Sequence, residues 1–233
     1  MCIHRFMATI VVATVLSACA GPVPAPAPAD DASAGVGILL TVRAPVKMFS
    51  TKEDRVMFIR LDDEQDAPYL STKPIASNYV KDGYIYLLNV PPGRYAAVAS
   101  FRSQSAAPAT PPPGSSGVNV TVNPGDSDFS TFFSVDVIKA TTVTVEPGQL
   151  AFIGEVVVDS STHLENADDA QAHYYRLLAP GAEDKSGFKG MMSGSYYYTG
   201  SLHTVNRDEA AYGRFLDKST KNLGERGWAA MLH

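Results

Sequence analysis

From Val36 onward the chain runs in short apolar stretches that alternate in polarity, and this period of two constrains its fold more than any other feature. The stretches are VGILLTVRA (36–44), RVMFIRL (55–61), YIYLLNV (84–90), RYAAVASF (94–101), FSTFFSVDVI (129–138), TTVTVE (141–146) and QLAFIGEVVVD (149–159). Successive side chains of a strand point to opposite faces. Ile38, Leu40 and Val42 therefore share one side of the first stretch, and Met57, Ile59 and Leu61 one side of the second. In the fourth, Tyr95, Ala97, Ala99 and Phe101 oppose Arg94, Ser100 and Arg102. Seven short strands separated by turn signals predict a mainly antiparallel β-sandwich over residues 35–160.

Residues 149–159 carry apolar side chains on both faces, Phe152, Val156 and Val158 on one and Ile153 and Val157 on the other, so that strand needs cover twice. The C-terminal part, 161–233, offers the cover. Asn166 is placed to cap a helix over 167–178, with Asp168 and Asp169 in its first turn and Ala170, Tyr174 and Leu177 as its apolar stripe. A second helix starts after Asn206 with Glu209 at the capping-box position. Tyr212, Leu216, Ser219 and Leu223 fall on one side of it, Gly224 is its stop, and Trp228 to Leu232 form a last turn. The expected class is α+β, with both C-terminal helices packed on one sheet over the outer face of 149–159.

Pro-Gly pairs punctuate the strands at Pro92-Gly93 and Pro147-Gly148, each with the chemistry of a type II turn. A strand ending in Val90-Pro91-Pro92-Gly93-Arg94-Tyr95 and followed by another resembles the prealbumin-like regulatory domains found beside carboxypeptidases. That resemblance implies a β-sandwich that supports or binds, without catalytic residues. The Pro/Ser/Gly-rich stretch 103–128 reads as a long insertion, mobile over 104–117, with VNVTV (118–122) as an extra edge strand.

The N-terminus is of another kind. Arg5 precedes an apolar segment, Met7 to Leu16, of the length of a signal peptide and too short to span a bilayer. Leu16-Ser17-Ala18-Cys19 then resembles the lipobox of bacterial lipoproteins. The resemblance implies cleavage after residue 18, with Leu16, Ser17 and Ala18 recognised by the signal peptidase, and acylation of Cys19 on its thiol and new amine. Several acyl chains exceed the two-signal threshold for stable anchoring. Ala20, where Asp would retain the protein at the inner membrane, implies the outer membrane. Residues 19–34 read as a Pro/Ala-rich tether in polyproline II, holding the body up to roughly 45 Å from the bilayer.

Charge and motifs narrow the chemistry. The chain has 24 acidic and 19 basic residues, which argues against a nucleic-acid binder, since that needs a basic face, and offers no polybasic run for anionic lipid. Both cysteines, Cys2 and Cys19, precede the body, so no disulfide or thiolate zinc site is expected in it. Asp62-Asp63-Glu64-Gln65-Asp66 starts an EF-hand frame that fails at Ala67 and Lys73. The histidines at 163, 173, 203 and 233 have no metal-ligand spacing, and nucleophile-elbow and phosphate-loop motifs are missing. Gly35-Val36-Gly37 has Leu40 where a dinucleotide fingerprint needs glycine. No cofactor or metal is expected.

Residues 187–200 are glycine-rich and hold Tyr196, Tyr197 and Tyr198, candidate contacts for a sugar or a protein. In the plainer reading they form a loop or hairpin in which Tyr196 and Tyr198 cover the sandwich and Tyr197 points outward. The expected function is a non-catalytic, lipid-anchored envelope protein, contacting other envelope proteins from the periplasmic or surface face. The rival is a module binding glycan or another small ligand through those tyrosines.

Overall fold

A computed structural model describes residues 24–43, 51–61, 69–104, 127–181 and 194–232. The lipobox, the acidic run 62–66, the edge-strand candidate 118–122 and residues 187–193 lie outside the described residues.

The strands are β1 (Ala34–Arg43), β2 (Thr51–Lys52), β3 (Arg55–Leu61), β4 (Ile75–Ala76), β5 (Tyr79–Lys81), β6 (Tyr84–Val90), β7 (Gly93–Gln104), β8 (Ser127–Phe133), β9 (Val143–Val145), β10 (Leu150–Ser161) and β11 (Ser195–Asn206). The helices are α1 (Val135–Ala140), α2 (Asp169–Leu178) and α3 (Glu209–Leu223), with a short 3-10 turn before α2 and two more after α3.

The expected antiparallel sandwich of seven strands is overturned. One mixed sheet in the order β4-β3-β7-β8-β11-β10-β1-β6-β5 curls into a half-barrel, with β2 added to β1 and β9 to β7. Its centre is parallel twice over, β1 with β10 and β8 with β11. Alternation reports which side chains share a face and is silent on which strand lies alongside and in which direction. The corner at Pro91-Pro92-Gly93 shows this well. It links β6 to β7, which lie far apart in the sheet and do not pair, so no hairpin forms there. Gly93 begins β7 at φ +154, and the carbonyl of Pro92 accepts from the Arg60 guanidinium. At Pro147-Gly148 the type II turn forms: Gly148 has φ +69, and Gln149 N donates to Glu146 O at 3.2 Å.

Three further expectations change locally. The apolar run 129–138 breaks at Ser134, whose hydroxyl caps α1, so β8 ends at Phe133. Helix α2 is capped by Asp168, with Gln171 completing a reciprocal capping box, instead of by Asn166. Helix α3 is capped by Asp208, and its buried face keeps Ser219 and Leu223 of the expected stripe while Ala211 and Phe215 take the places of Tyr212 and Leu216.

The C-terminal part is woven into the sheet. Its strand β11 separates β8 from β10, whereas the sequence reads the tyrosine stretch as a loop or hairpin laid over the sandwich. Only α3 packs on β10; α2 lies against β7 and β8, correcting the placement of both helices over 149–159. Inside the curl, Val36, Ile38, Leu40, Val42, Phe58, Leu87, Phe133 and Val158 form the main core. On the outer side, Phe215 and Trp228 pack on Tyr84, Tyr86, Leu88 and Leu150 in a second, aromatic core. Residues between β4 and β5 tie the two edges of the sheet together, Ser77 N donating to Val56 O and Asn78 N to Tyr86 O.

The Pro/Ala segment is docked from Pro24 on and does not stand free as a spacer. Ala25 is buried in the aromatic core, and Trp228 Nε1 donates to Pro26 O at 2.7 Å. Asn89, at φ +61, donates through Nδ2 to Ala27 O and accepts from Ala29 N on Oδ1.

Candidate functional site

The site candidate lies where β3, β8 and β11 begin and β7 ends, beside the C-terminus of α2. Register sets Ser100, Thr131 and Tyr198 in one cross-strand row and Arg102, Phe129 and Tyr196 in the next, on one face of the sheet. The rings follow the register: Phe129 stacks on Tyr196 with centroids 5.0 Å apart and planes 12° apart, and on Tyr198 at 6.4 Å. The Arg102 guanidinium lies 4.1 Å from the Phe129 centroid, a cation on a π face, while its Nε is buried with no hydrogen-bond partner. Burial raises the Tyr198 phenol; Arg102 opposes that shift and Tyr196 adds to it.

Tyr197 projects from the opposite face. It meets Tyr175 of α2 edge-on at 5.6 Å, and Tyr175 meets Phe132 in the same way at 5.5 Å. The tyrosine triplet is therefore split between the two sides of β11, as a period of two requires, and does not form one aromatic platform. Tyr197 also does not point freely outward: it walls a pocket of about 350 Å3 with Phe101, Leu178, Arg55, Ser103 and Asp128. Asp128 accepts from the Ser103 hydroxyl at 2.6 Å, and Asp54 accepts from Ser103 N at 2.8 Å, which fixes the acidic rim. The pocket thus combines aromatic walls, fixed acceptors and a guanidinium, the mixture that holds a polar ligand in place.

Glu53 escapes sequence reasoning because it sits among charged neighbours and reads as solvated. It is 6% exposed, on the short link from β2 to β3. Burial pushes its carboxyl up to about 7, against the lowering effects of Ser100 and Arg102, with Asp54 adding a smaller rise. Ser100 Oγ faces it without closing a well-formed hydrogen bond. A carboxyl whose pKa is higher folded than unfolded loses stability as pH rises. The folded state holds the proton between pH 4.5 and about 7 while the unfolded chain has released it. Stability is therefore expected to fall across that window, and Glu53→Gln to remove the fall, raising stability at pH 8 by roughly 3 kcal/mol. Urea denaturation at pH 5 and pH 8 checks this; an unchanged pH slope in the variant would refute it.

Elsewhere, Arg43, Asp159 and His203 form an exposed cluster on the outer side of β1, β10 and β11, with Arg43–Asp159 at 3.3 Å and His203–Asp159 at 3.0 Å. Such a solvated set adds little stability. Among the described residues no three His, Cys, Asp or Glu side chains converge to hold a metal, and no helix is long and apolar enough to cross a membrane. Compared with protein-family models, curated proteins and solved structures, the chain matches none.

Proposed function

We propose that the protein is a non-catalytic envelope lipoprotein, held to the membrane through Cys19 and meeting other envelope components with its folded body. The observation that carries this reading is Leu16-Ser17-Ala18-Cys19 after a short apolar segment, a sequence that presents one cysteine to an acylating enzyme. Docking of residues 24–33 supports it, because an anchored chain gains from a body held in one orientation near its lipid. Cys19→Ser is expected to abolish labelling by radioactive fatty acid and to move the protein from the membrane pellet to the soluble fraction. A variant that still labels and pellets refutes the anchor.

A second reading has its own support in the pocket beside Tyr197. About 350 Å3 suffices for one or two sugar rings, and the wall of Tyr197 and Phe101 with acceptors from Asp128 and Asp54 suits their alternating apolar and hydroxyl faces. In this reading the anchored body binds a cell-wall glycan, and Tyr197→Ala is expected to weaken binding of muropeptide fragments about tenfold. Calorimetric titration decides it, and wild-type protein that releases no heat across the fragment series excludes it.

A further inference from the structure

Pro24 and Ala25 line a cleft of about 830 Å3 on the far side of Asp54 and Arg55 from the tyrosine pocket. Four cations converge there from four separate parts of the chain: Arg55 of β3, Lys81 of β5, Lys221 of α3 and Arg226 of the turn after it. Asp54 and Glu225 are the acids in the lining, so the cleft is cationic in a protein whose net charge is −5. All four cations are exposed, and among the described residues none of them is in an ion pair. Four cations against two acids leave the cleft with an excess of positive charge, and a cleft lined mainly by one sign focuses its field on oppositely charged groups.

The exit of the chain identifies that anion. Only five peptide steps separate Cys19 from Pro24, a reach of at most about 18 Å. The docked segment cannot lengthen this reach, because Trp228 and Asn89 hold it from Pro26 to Ala29. A body tethered at Pro24 must therefore turn the cleft that Pro24 lines toward the bilayer.

We infer that this basic cleft is a membrane-facing surface that binds the anionic headgroups of phospholipids. The inference rests on the Cys19 anchor for its orientation and on the charges for its chemistry. It gives the Pro/Ala segment a role opposite to a spacer's: the segment is a strap that seats one defined face of the body on the lipid surface. Each Lys or Arg near an anionic surface adds about fivefold to binding, within a Debye length that shrinks with salt.

The test uses the full chain carrying Cys19→Ser, co-sedimented with vesicles of phosphatidylcholine alone or mixed with phosphatidylglycerol. Any binding through the apolar N-terminus is common to both vesicles, so their difference reads the charge. Binding is expected to favour the phosphatidylglycerol vesicles and to decline as salt is raised. Lys221→Glu combined with Arg226→Glu should weaken it at least about tenfold. Both side chains are exposed, and an unchanged thermal melt would show that the double variant remains folded. Equal binding to the two vesicle types, or indifference to charge reversal, overturns the inference. So does charge-dependent binding of inorganic phosphate without binding to the vesicles, which would make the cleft a site for a soluble anion. Fatty-acid labelling of the wild type reads the anchor independently: a labelled protein without lipid preference leaves the anchor standing and removes the cleft. Lipid preference in an unlabelled protein supports the cleft's chemistry and removes the anchor.

Discussion

Trp228→Ala is expected to lower the stability of the folded body by about 3–5 kcal/mol, because truncating a fully buried ring leaves a cavity that its neighbours fill only in part. The indole is the largest fully buried side chain and sits in the aromatic core with Tyr79, Tyr86, Leu88, Phe215 and Leu223. Its Nε1 also satisfies Pro26 O, so the same substitution leaves that carbonyl without its donor and loosens residues 24–29. Two readouts separate these effects. Urea denaturation reports the loss of core, and cleavage by a proline-tolerant protease within 24–29 reports release of the strap. Trp228→Phe keeps much of the apolar volume while removing the donor, and is expected to expose the strap at a cost nearer 1–2 kcal/mol. An alanine variant within about 1 kcal/mol of wild type would mean that the aromatic core does not hold the C-terminus as described.

Gly37→Val should damage the same core from the opposite side, by overpacking. A Cβ at residue 37 would lie 2.5 Å from Phe215 Cε2 and 2.9 Å from its Cζ, with Tyr86 Cδ1 at 3.2 Å. The Phe215 ring cannot swing away. It stacks on Phe152 at 4.5 Å, and Tyr84, Tyr86 and Tyr212 surround it at 5.7, 6.4 and 6.4 Å. Overpacking of such a site costs about 1–3 kcal/mol or more, and valine at a point of backbone-to-ring contact belongs at the top of that range. The expected result is a helix α3 displaced from β1 and β10, seen as a lowered denaturation midpoint and enhanced amide exchange along 209–223. Phe215→Ala in the Gly37→Val background should recover part of the loss, since each change relieves what the other creates. Additive losses would place the strain elsewhere.

These two positions also show how far residues can be read without coordinates. Period-two alternation locates β3 and β6 to the residue, because each must present one face to a core, and that requirement is local. It says nothing of Gly37, whose meaning is a distance to a ring 178 positions along the chain. Strand β11 is only half visible, as three tyrosines that read as a loop or hairpin; it becomes a central strand because β8 and β10 offer it hydrogen bonds on both sides. The tyrosine triplet is visible as aromatic surface, but its division into two faces, one stacked on Phe129 and the other walling the pocket, follows from that pairing. Glu53 and Arg102 are legible only as charges. The burial of Glu53 and of the Arg102 Nε depends on how the link between β2 and β3 meets β7 in the folded sheet.

The sequence alone determined part of the local grammar: strands such as β3 and β6, the stretches that form α2 and α3, the turn at Pro147-Gly148 and the motif around Cys19. Each depends on residues within a few positions of one another, through side-chain direction, capping and backbone torsion. The tertiary structure alone decided the parallel pairs at the centre of the sheet, the docking of the Pro/Ala strap on Trp228 and Asn89, and the gathering of Arg55, Lys81, Lys221 and Arg226 at one cleft. Those arrangements join residues tens to hundreds of positions apart, selected by which faces can be buried together, and a pattern of local preference carries no record of that choice.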